Sequence, residues 1–237
     1  MIISHSQRFI FIANRKTAST AIGIALSSAC NKQDVITPLG EDEEIRRQLG
    51  YPKPKNFIPW SKKLAYLSLL TQRTLTGLWI SEKLKEVGYY THITPEKILN
   101  FLRPGAWDAY FRFCFVRNPW DLVISHYFWK IRNRSQPLSL DSFLSNAKIE
   151  GIARRSREMY TLNSKLAVDR LCRYENAQTE VNQIFEELNL PGNPKLPGAK
   201  NQFRNDKRHY RDILNDDQAA KIGLIFKREI ELADYKY

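Results

Sequence analysis

The hydrophobic pattern along the chain alternates between two kinds of segment. Residues 9–13, "FIFIA", are continuously apolar and largely β-branched or aromatic, the pattern of a strand buried on both faces within a parallel sheet. The polar stretch "NRKTAST" interrupts it. "AIGIALSSA" follows, with Ala21, Ile22, Ala25, Leu26 and Ala29 spaced to mark one face of a helix. The unit recurs: "YFRFCFV" at 110–116 predicts a second buried strand, "RNP" breaks it, and "WDLVISHYFWKIR" reads as a helix. Asn118 suits the cap of that helix and Pro119 its first position. "RLCRYE" at 170–175 predicts a third strand, leading through Asn176 into a helix over "AQTEVNQIFEEL", and "GYYTHI" at 88–93 predicts a fourth. Strands alternating with helices predict an α/β fold with a central, mainly parallel sheet flanked by helices.

The remaining segments are less regular. Residues 40–60, with "GYPKPKNFIPW", read as a loop and 62–86 as one or two helices. Because they interrupt the alternation, the region of about 40–86 is the natural place for a helical, substrate-covering insertion. "PGNPKLPG" at 191–198 is a connector ahead of the densely basic "KNQFRNDKRHYRD", and a closing helix starts at Asn215 as cap with Gln218 three residues on. The 237 residues suffice for one sizeable core, so a single domain over 1–237 is expected.

The best membrane candidate, "LAYLSLLTQRTLTGLWI" at 64–80, is interrupted by Gln72 and Arg73 and is short for a span. "MIISHSQRFIFIANRK" lacks the basic region and long apolar stretch of a signal peptide. Three cysteines, with Cys114 and Cys172 inside apolar runs, read as free thiols of a reducing compartment. A cytoplasmic protein without a transmembrane segment is the expectation.

Composition changes the picture only through charge. At 43% hydrophobic and 26% charged the chain is ordinarily globular. The 37 Lys and Arg against 25 Asp and Glu leave a net charge of +12, which implies a polyanionic partner: nucleic acid, acidic polysaccharide, anionic membrane or a multiply phosphorylated small molecule. Charge alone does not choose among them.

The loop after the first strand does. In α/β folds ligands bind at the carboxyl ends of the strands, where a following helix offers unpaired N–H groups and a partial positive charge to an anion. Lys16 adds a full charge, and Thr17, Ser19 and Thr20 add hydroxyl donors, which together make a phosphate cradle. A Walker A loop needs glycines to wrap phosphates, and residues 9–20 contain none. An ordinary strand-to-helix turn with a solvated Lys16 is the plainer alternative. Arg117, at the end of the second strand, and Ser125, eight positions later, can bracket an anion with a charged fork and a hydroxyl. Arg117 can equally pair with Asp121.

Taken together, these two segments resemble the sulfotransferases that use 3'-phosphoadenosine 5'-phosphosulfate (PAPS), particularly their carbohydrate-modifying branch. The family's "PKTGST"-like 5'-phosphosulfate loop is matched by Arg15, Lys16, Thr17, Ala18, Ser19 and Thr20, and its "RNPxxRxxSxY" 3'-phosphate motif by Arg117, Asn118, Pro119, Ser125 and Tyr127. "RYENA" at 173–177 is similar to the family's strand-end "YEdL", and "ADYKY" to its C-terminal "fgY". Ala18 stands where the family usually has Gly, so the loop either avoids a positive φ or accepts strain. Leu122 stands where a second Arg is common.

The resemblance implies a P-loop-like three-layer fold, PAPS as cosubstrate, no metal, and transfer of a sulfuryl group to a hydroxyl, with a saccharide or other hydroxyl-bearing, possibly acidic, acceptor and no nucleic-acid partner. Lys16 would bind the 5'-phosphosulfate and stabilise the charge building on the leaving phosphate; Arg15 and Thr17 to Thr20 would hold the same group, and Arg117 and Ser125 the 3'-phosphate. His92 is the candidate general base, with Glu82 or Glu86 as substitutes. His126 reads as a packing or phosphate-side residue, and His5 and His209 as peripheral. A nucleotide kinase or NTPase with a degenerate phosphate loop, a nucleic-acid-binding module and an inactive PAPS-binding relative remain as alternatives.

Overall fold

Five strands form the central sheet. The computed structural model describes residues 1–71, 77–133, 135–136, 138–198, 206 and 208–237, and for residues 71 and 77–81 the backbone alone. The strands are β1 (Ile2–Ser4), β2 (Phe9–Ile12), β3 (Val35–Ile36), β4 (Phe111–Val116) and, after a small hairpin of β5 (Thr161–Leu162) and β6 (Lys165–Leu166), β7 (Arg170–Arg173). Their spatial order is β3-β1-β2-β4-β7. β2 and β4 pair in parallel, as do β4 and β7, whereas β1 is antiparallel to both β2 and β3. Four strands therefore run one way and β1 alone runs against them.

Phe9, Ile10, Phe11 and Ile12 are each 0% exposed. Successive side chains of a strand point to opposite faces, so this sheet is covered on both sides. That explains why β2 and β4 read as unbroken apolar runs rather than alternating ones. Phe11 and Phe113, paired in the register, stack with ring centroids 5.5 Å apart.

The helices are α1 (Ser19–Ser27), α2 (Glu43–Gln48), α3 (Lys63–Thr71), α4 (Gly77–Val87), α5 (Pro95–Leu99), α6 (Ala106–Ala109), α7 (Pro119–Ile131), α8 (Leu140–Phe143), α9 (Asn146–Arg157), α10 (Ala177–Glu187), α11 (Asp216–Ile225) and α12 (Lys227–Leu232). All nine residues of α1 are buried, more than the single apolar face expected. α7 starts as its sequence announces: Pro119 takes the first position, and the Asn118 side chain accepts from the N–H groups of Trp120 and Asp121. α11 opens on the full capping box of Asn215 and Gln218. Ala177–Glu187 begins after a 3-10 turn at Tyr174–Asn176, and Asn176 makes no side-chain cap.

Two expectations need correction. Residues 88–93 are not a strand. Gly88 lies so close to residues 57–58 that a Cβ there would meet the Phe57 carbonyl oxygen at 2.6 Å. The Tyr89 N–H donates to that same oxygen at 2.8 Å, a single bond without a ladder. The region 40–60 is not wholly loop, because it contains a 3-10 turn at Gly40–Asp42 and helix α2. Over 62–86, α3 and α4 match the helices expected; residues 72–76 lie outside the described residues, as do 199–205 and 207 of the basic run near the C-terminus. Among the described residues no helix is long and apolar enough to cross a membrane. Cys30, Cys114 and Cys172 are free and buried.

Candidate anion-binding site at the strand ends

Three parallel strands end side by side. Ile12 of β2 pairs with Cys114 of β4, and Val116 of β4 with Arg173 of β7, so residues 13–18, 117–118 and 174–176 leave the sheet at one edge. This is the edge at which such sheets bind ligands.

The first of these loops is held from within. Asn14 is fully buried; its Nδ2 donates to Phe115 O at 3.2 Å and to Ser156 Oγ at 3.0 Å, and its Oδ1 accepts from the Arg15 N–H at 2.7 Å. The Thr17 hydroxyl donates to Asn14 O at 3.2 Å. Between these anchors the backbone takes positive φ at Lys16 (62°) and at Ala18 (52°). Alternation of this kind turns successive N–H groups into an anion-binding concavity. The loop thus accepts strain at the position where glycine would be free of it, at a cost of about 1–2 kcal/mol for a residue with a Cβ. Ala18 is also the N-cap of α1, and no side chain caps the helix there, leaving the first-turn N–H groups to another acceptor. Thr17, Ser19 and Thr20 are buried around this turn.

Arg117 reaches the same loop from β4. Its Nη1 donates to Lys16 O at 2.9 Å and to Ser125 Oγ at 3.1 Å, while its Nε donates to Asp121 Oδ2 at 2.8 Å. Arg117 pairs with Asp121, as the plainer alternative expected, and it also meets Ser125. The Tyr174 ring lies under the guanidinium, 4.3 Å from centroid to Cζ. Glu175 closes the third loop, its Oε1 accepting from the Asn118 N–H at 2.6 Å and its Oε2 from the Tyr235 hydroxyl at 2.9 Å. The Tyr235 hydroxyl also lies 3.2 Å from Val116 O. The "RYENA" and "ADYKY" segments therefore meet the "RNP" turn at one place.

His126 reports the field in this region. Burial, and then the charges of Lys16, Arg155, Arg15 and Arg117, push its pKa down to about 3. An imidazole acted on by four cations marks a concentration of positive charge around one point. Arg155, from α9, belongs to no motif in the sequence. Leu122, by contrast, faces the core at 3% exposure and offers the site no charge.

His92 stands beside the loop, its Nδ1 2.7 Å from Ala13 O. A carbonyl oxygen only accepts, so Nδ1 carries a proton, and in the neutral ring the lone pair is then on Nε2. This is the tautomer a base requires. The substitute bases do worse: Glu82 and Glu86 are exposed on α4 and paired with Lys85 at 2.5 Å and Lys83 at 3.2 Å. Lys85 holds the Glu82 carboxyl below its usual range. His5 bonds the Tyr110 hydroxyl at 2.9 Å, and His209 caps the turn at Tyr210–Asp212 and packs on Tyr210, whose hydroxyl accepts from Asn118 Nδ2 at 3.3 Å. A cavity of about 360 Å³ opens between the start of α1, at Ala18 and Ala21, and the segments Tyr174–Gln178 and Leu196–Gly198.

Comparison with known proteins adds kinship. A protein of Archaeoglobus fulgidus described as an uncharacterized protein is 31% identical over 119 residues, which make up 49% of this chain and 96% of that relative. The two belong to one family. This shared family brings no activity with it, and about half of the present chain extends beyond the match. No family model and no solved structure matches the chain.

Proposed function

We propose that the chain is a PAPS-dependent sulfotransferase that acts on a hydroxyl of a saccharide, built on the P-loop-like three-layer frame of that enzyme class and working in the cytoplasm. The observation that carries the reading is the meeting of two distant segments: the Arg117 guanidinium touches both the backbone of the Lys16 loop and the Ser125 hydroxyl. The two motifs that would hold opposite ends of one bisphosphorylated nucleotide thus lie at one edge of the sheet.

The residues present suit such a donor. The strained Lys16–Ala18 backbone, the uncapped start of α1 and the hydroxyls of Ser19 and Thr20 supply donors for a 5'-phosphosulfate, with the Thr17 hydroxyl bracing the loop through Asn14 O. Arg117, oriented by Asp121, supplies positive charge and Ser125 a hydroxyl for a 3'-phosphate. The cavity beside Ala18 and Tyr174 falls within the size range of small-molecule pockets and has room for the nucleoside. When bound, PAPS supplies an activated sulfuryl group.

Transfer then needs positioning and charge stabilisation more than covalent help. The acceptor oxygen bonds to sulfur while the bond from sulfur to the bridging phosphate oxygen breaks. His92 Nε2 takes the hydroxyl proton, and the Lys16 ammonium offsets the charge left on the departing phosphate. The Nδ1–H bond to Ala13 O holds the imidazole in the accepting tautomer.

The test is transfer of label from PAPS carrying a radioactive sulfuryl group to a panel of saccharides. Labelled saccharide is expected with the native chain and none with Lys16→Ala. Hydrolysis of ATP with Mg²⁺ and no sulfuryl transfer would instead favour a kinase or NTPase. Retained nucleotide binding without transfer to any acceptor would mark an inactive relative.

A further inference from the structure

We propose a second binding site at the end of the sheet opposite the Lys16 loop: a cavity framed by Trp60, Tyr89, Phe101, Lys63, Arg103 and His5 that takes a small aromatic carboxylate. It goes beyond the sulfotransferase reading and does not depend on it.

The strand register fixes the place. Ser4 pairs with Phe9 and Ile3 with Val35, so His5 and Gln33 lie where β2 begins, and the whole of β2 separates them from residues 13–18. A cavity of about 260 Å³ opens there. The segment 55–60 beside it is pinned. Ile36 and Lys55 exchange backbone bonds at 3.0 and 3.1 Å, Asn56 Nδ2 donates to Asp34 O at 2.9 Å, and Phe57 O accepts from the Tyr89 N–H at 2.8 Å. Tyr89 and Phe101, both in the lining, meet edge to face with centroids 5.4 Å apart.

Cations gather on this apolar frame. Arg103 donates to the buried Tyr110 hydroxyl, which also bonds His5 Nδ1 at 2.9 Å, so one tyrosine holds a guanidinium and an imidazole together at the cavity. Lys63 Nζ lies 3.9 Å from the centre of the Trp60 ring. Among the described residues no acid lines the cavity and no ion pair joins Lys63 or Arg103 to one. Burial and the Arg103 charge also hold the His5 imidazole below its ordinary pKa. A cationic ligand finds no partner here, whereas a carboxylate finds a guanidinium with N–H groups to spare and an ammonium.

Trp60 calls for a ring. It is 83% exposed, which leaves in water the face of a side chain that is ordinarily well buried. A sugar would need more hydrogen-bonding groups than the lining offers, since Asn56 already spends its Nδ2 on Lys32 O and Asp34 O. The volume is below that of pockets for drug-sized ligands, so one or two fused rings fill it.

The test is calorimetry with 2-naphthoate and its uncharged counterpart 2-naphthalenemethanol, without and with saturating adenosine 3',5'-bisphosphate. The native chain is expected to bind the carboxylate at least about tenfold more tightly than the alcohol, the equivalent of one charge-assisted hydrogen bond, whether or not the bisphosphate is present. Arg103→Gln is expected to abolish that preference, and Trp60→Ala to weaken both compounds about fivefold. Lys63→Gln, at an exposed position, is expected to lower the preference without touching the Tyr110 contact, and so reads the site even if Arg103→Gln does not fold. Equal binding of the two compounds, no binding of 2-naphthoate, or its displacement by the bisphosphate overturns the proposal. Unchanged affinity in Trp60→Ala and Lys63→Gln overturns it too. Failure of the bisphosphate to bind, with the naphthoate preference intact, would sink the sulfotransferase reading and leave this site standing.

Discussion

The Arg117 guanidinium donates to the main-chain carbonyl of Lys16 across 101 residues of sequence, at 2.9 Å. A cation from the end of β4 is thereby fixed against the loop that leaves β2, and the pairing with Asp121 and contact with Ser125 complete its orientation. Replacing the fork by a point charge breaks this geometry while keeping the charge. Arg117→Lys is therefore expected to weaken binding of adenosine 3',5'-bisphosphate by about 10- to 100-fold, the equivalent of one charge-assisted hydrogen bond. Calorimetry checks it; unchanged affinity would mean that Arg117 serves the fold alone.

Ala18 sits at φ 52°, a conformation open to glycine without penalty. Ala18→Gly should stabilise the fold by about 1 kcal/mol, since relief of the left-handed strain outweighs the added freedom of the unfolded chain. In a chain of this length that raises Tm by about 2–4 °C. A lower Tm in differential scanning calorimetry would show the Ala18 methyl to matter more for packing than for strain.

His126 gives a pH signature. The folded chain holds it neutral down to about pH 3, whereas an unfolded chain takes up the proton near 6.5. The unfolded state therefore binds more protons between these values, and this contribution to stability, present above pH 6.5, is lost as pH falls toward 3. His126→Asn should show a shallower loss of stability between pH 6 and pH 4. A bound polyanion would offset the surrounding cations, so the His126 pKa followed by NMR is expected to rise on adding the bisphosphate. No change would place the anion elsewhere.

His92 is assigned to proton transfer and not to donor binding. His92→Asn preserves a donor for Ala13 O but has no lone-pair nitrogen, so turnover is expected to fall by about 10²- to 10⁴-fold while bisphosphate affinity stays within about twofold. An equal fall in both would make His92 a structural support of the loop.

Some of this was legible before any coordinates. Phe9–Ile12 and Phe111–Val116 announce themselves because strands buried on both faces must be apolar throughout. Asn118 and Pro119, and Asn215 with Gln218, announce helix starts because capping is local chemistry. β1 and β3 escape notice because three and two residues carry too little pattern to detect. "GYYTHI" has the composition of a strand, but the backbone of residues 57–58 fills the place of a ladder partner. In the site, Lys16 and Arg117 stand out as charges at the ends of apolar runs. Arg155 does not, because a long-range bond, from Asn14 to Ser156, brings α9 to the loop. Asn14, the buried hub, looks from its neighbours like one more polar loop residue.

The central claim is that two separate cationic groups hold two phosphates of one nucleotide. Its most direct measurement is the calorimetric affinity of the native chain for adenosine 3',5'-bisphosphate compared with adenosine 5'-monophosphate and adenosine 3'-monophosphate. The account expects the bisphosphate to bind at least about 100-fold more tightly than either monophosphate, because each lost phosphate abandons one set of charge-assisted bonds. Equal affinity for all three, or tighter binding of ATP with Mg²⁺, would contradict it.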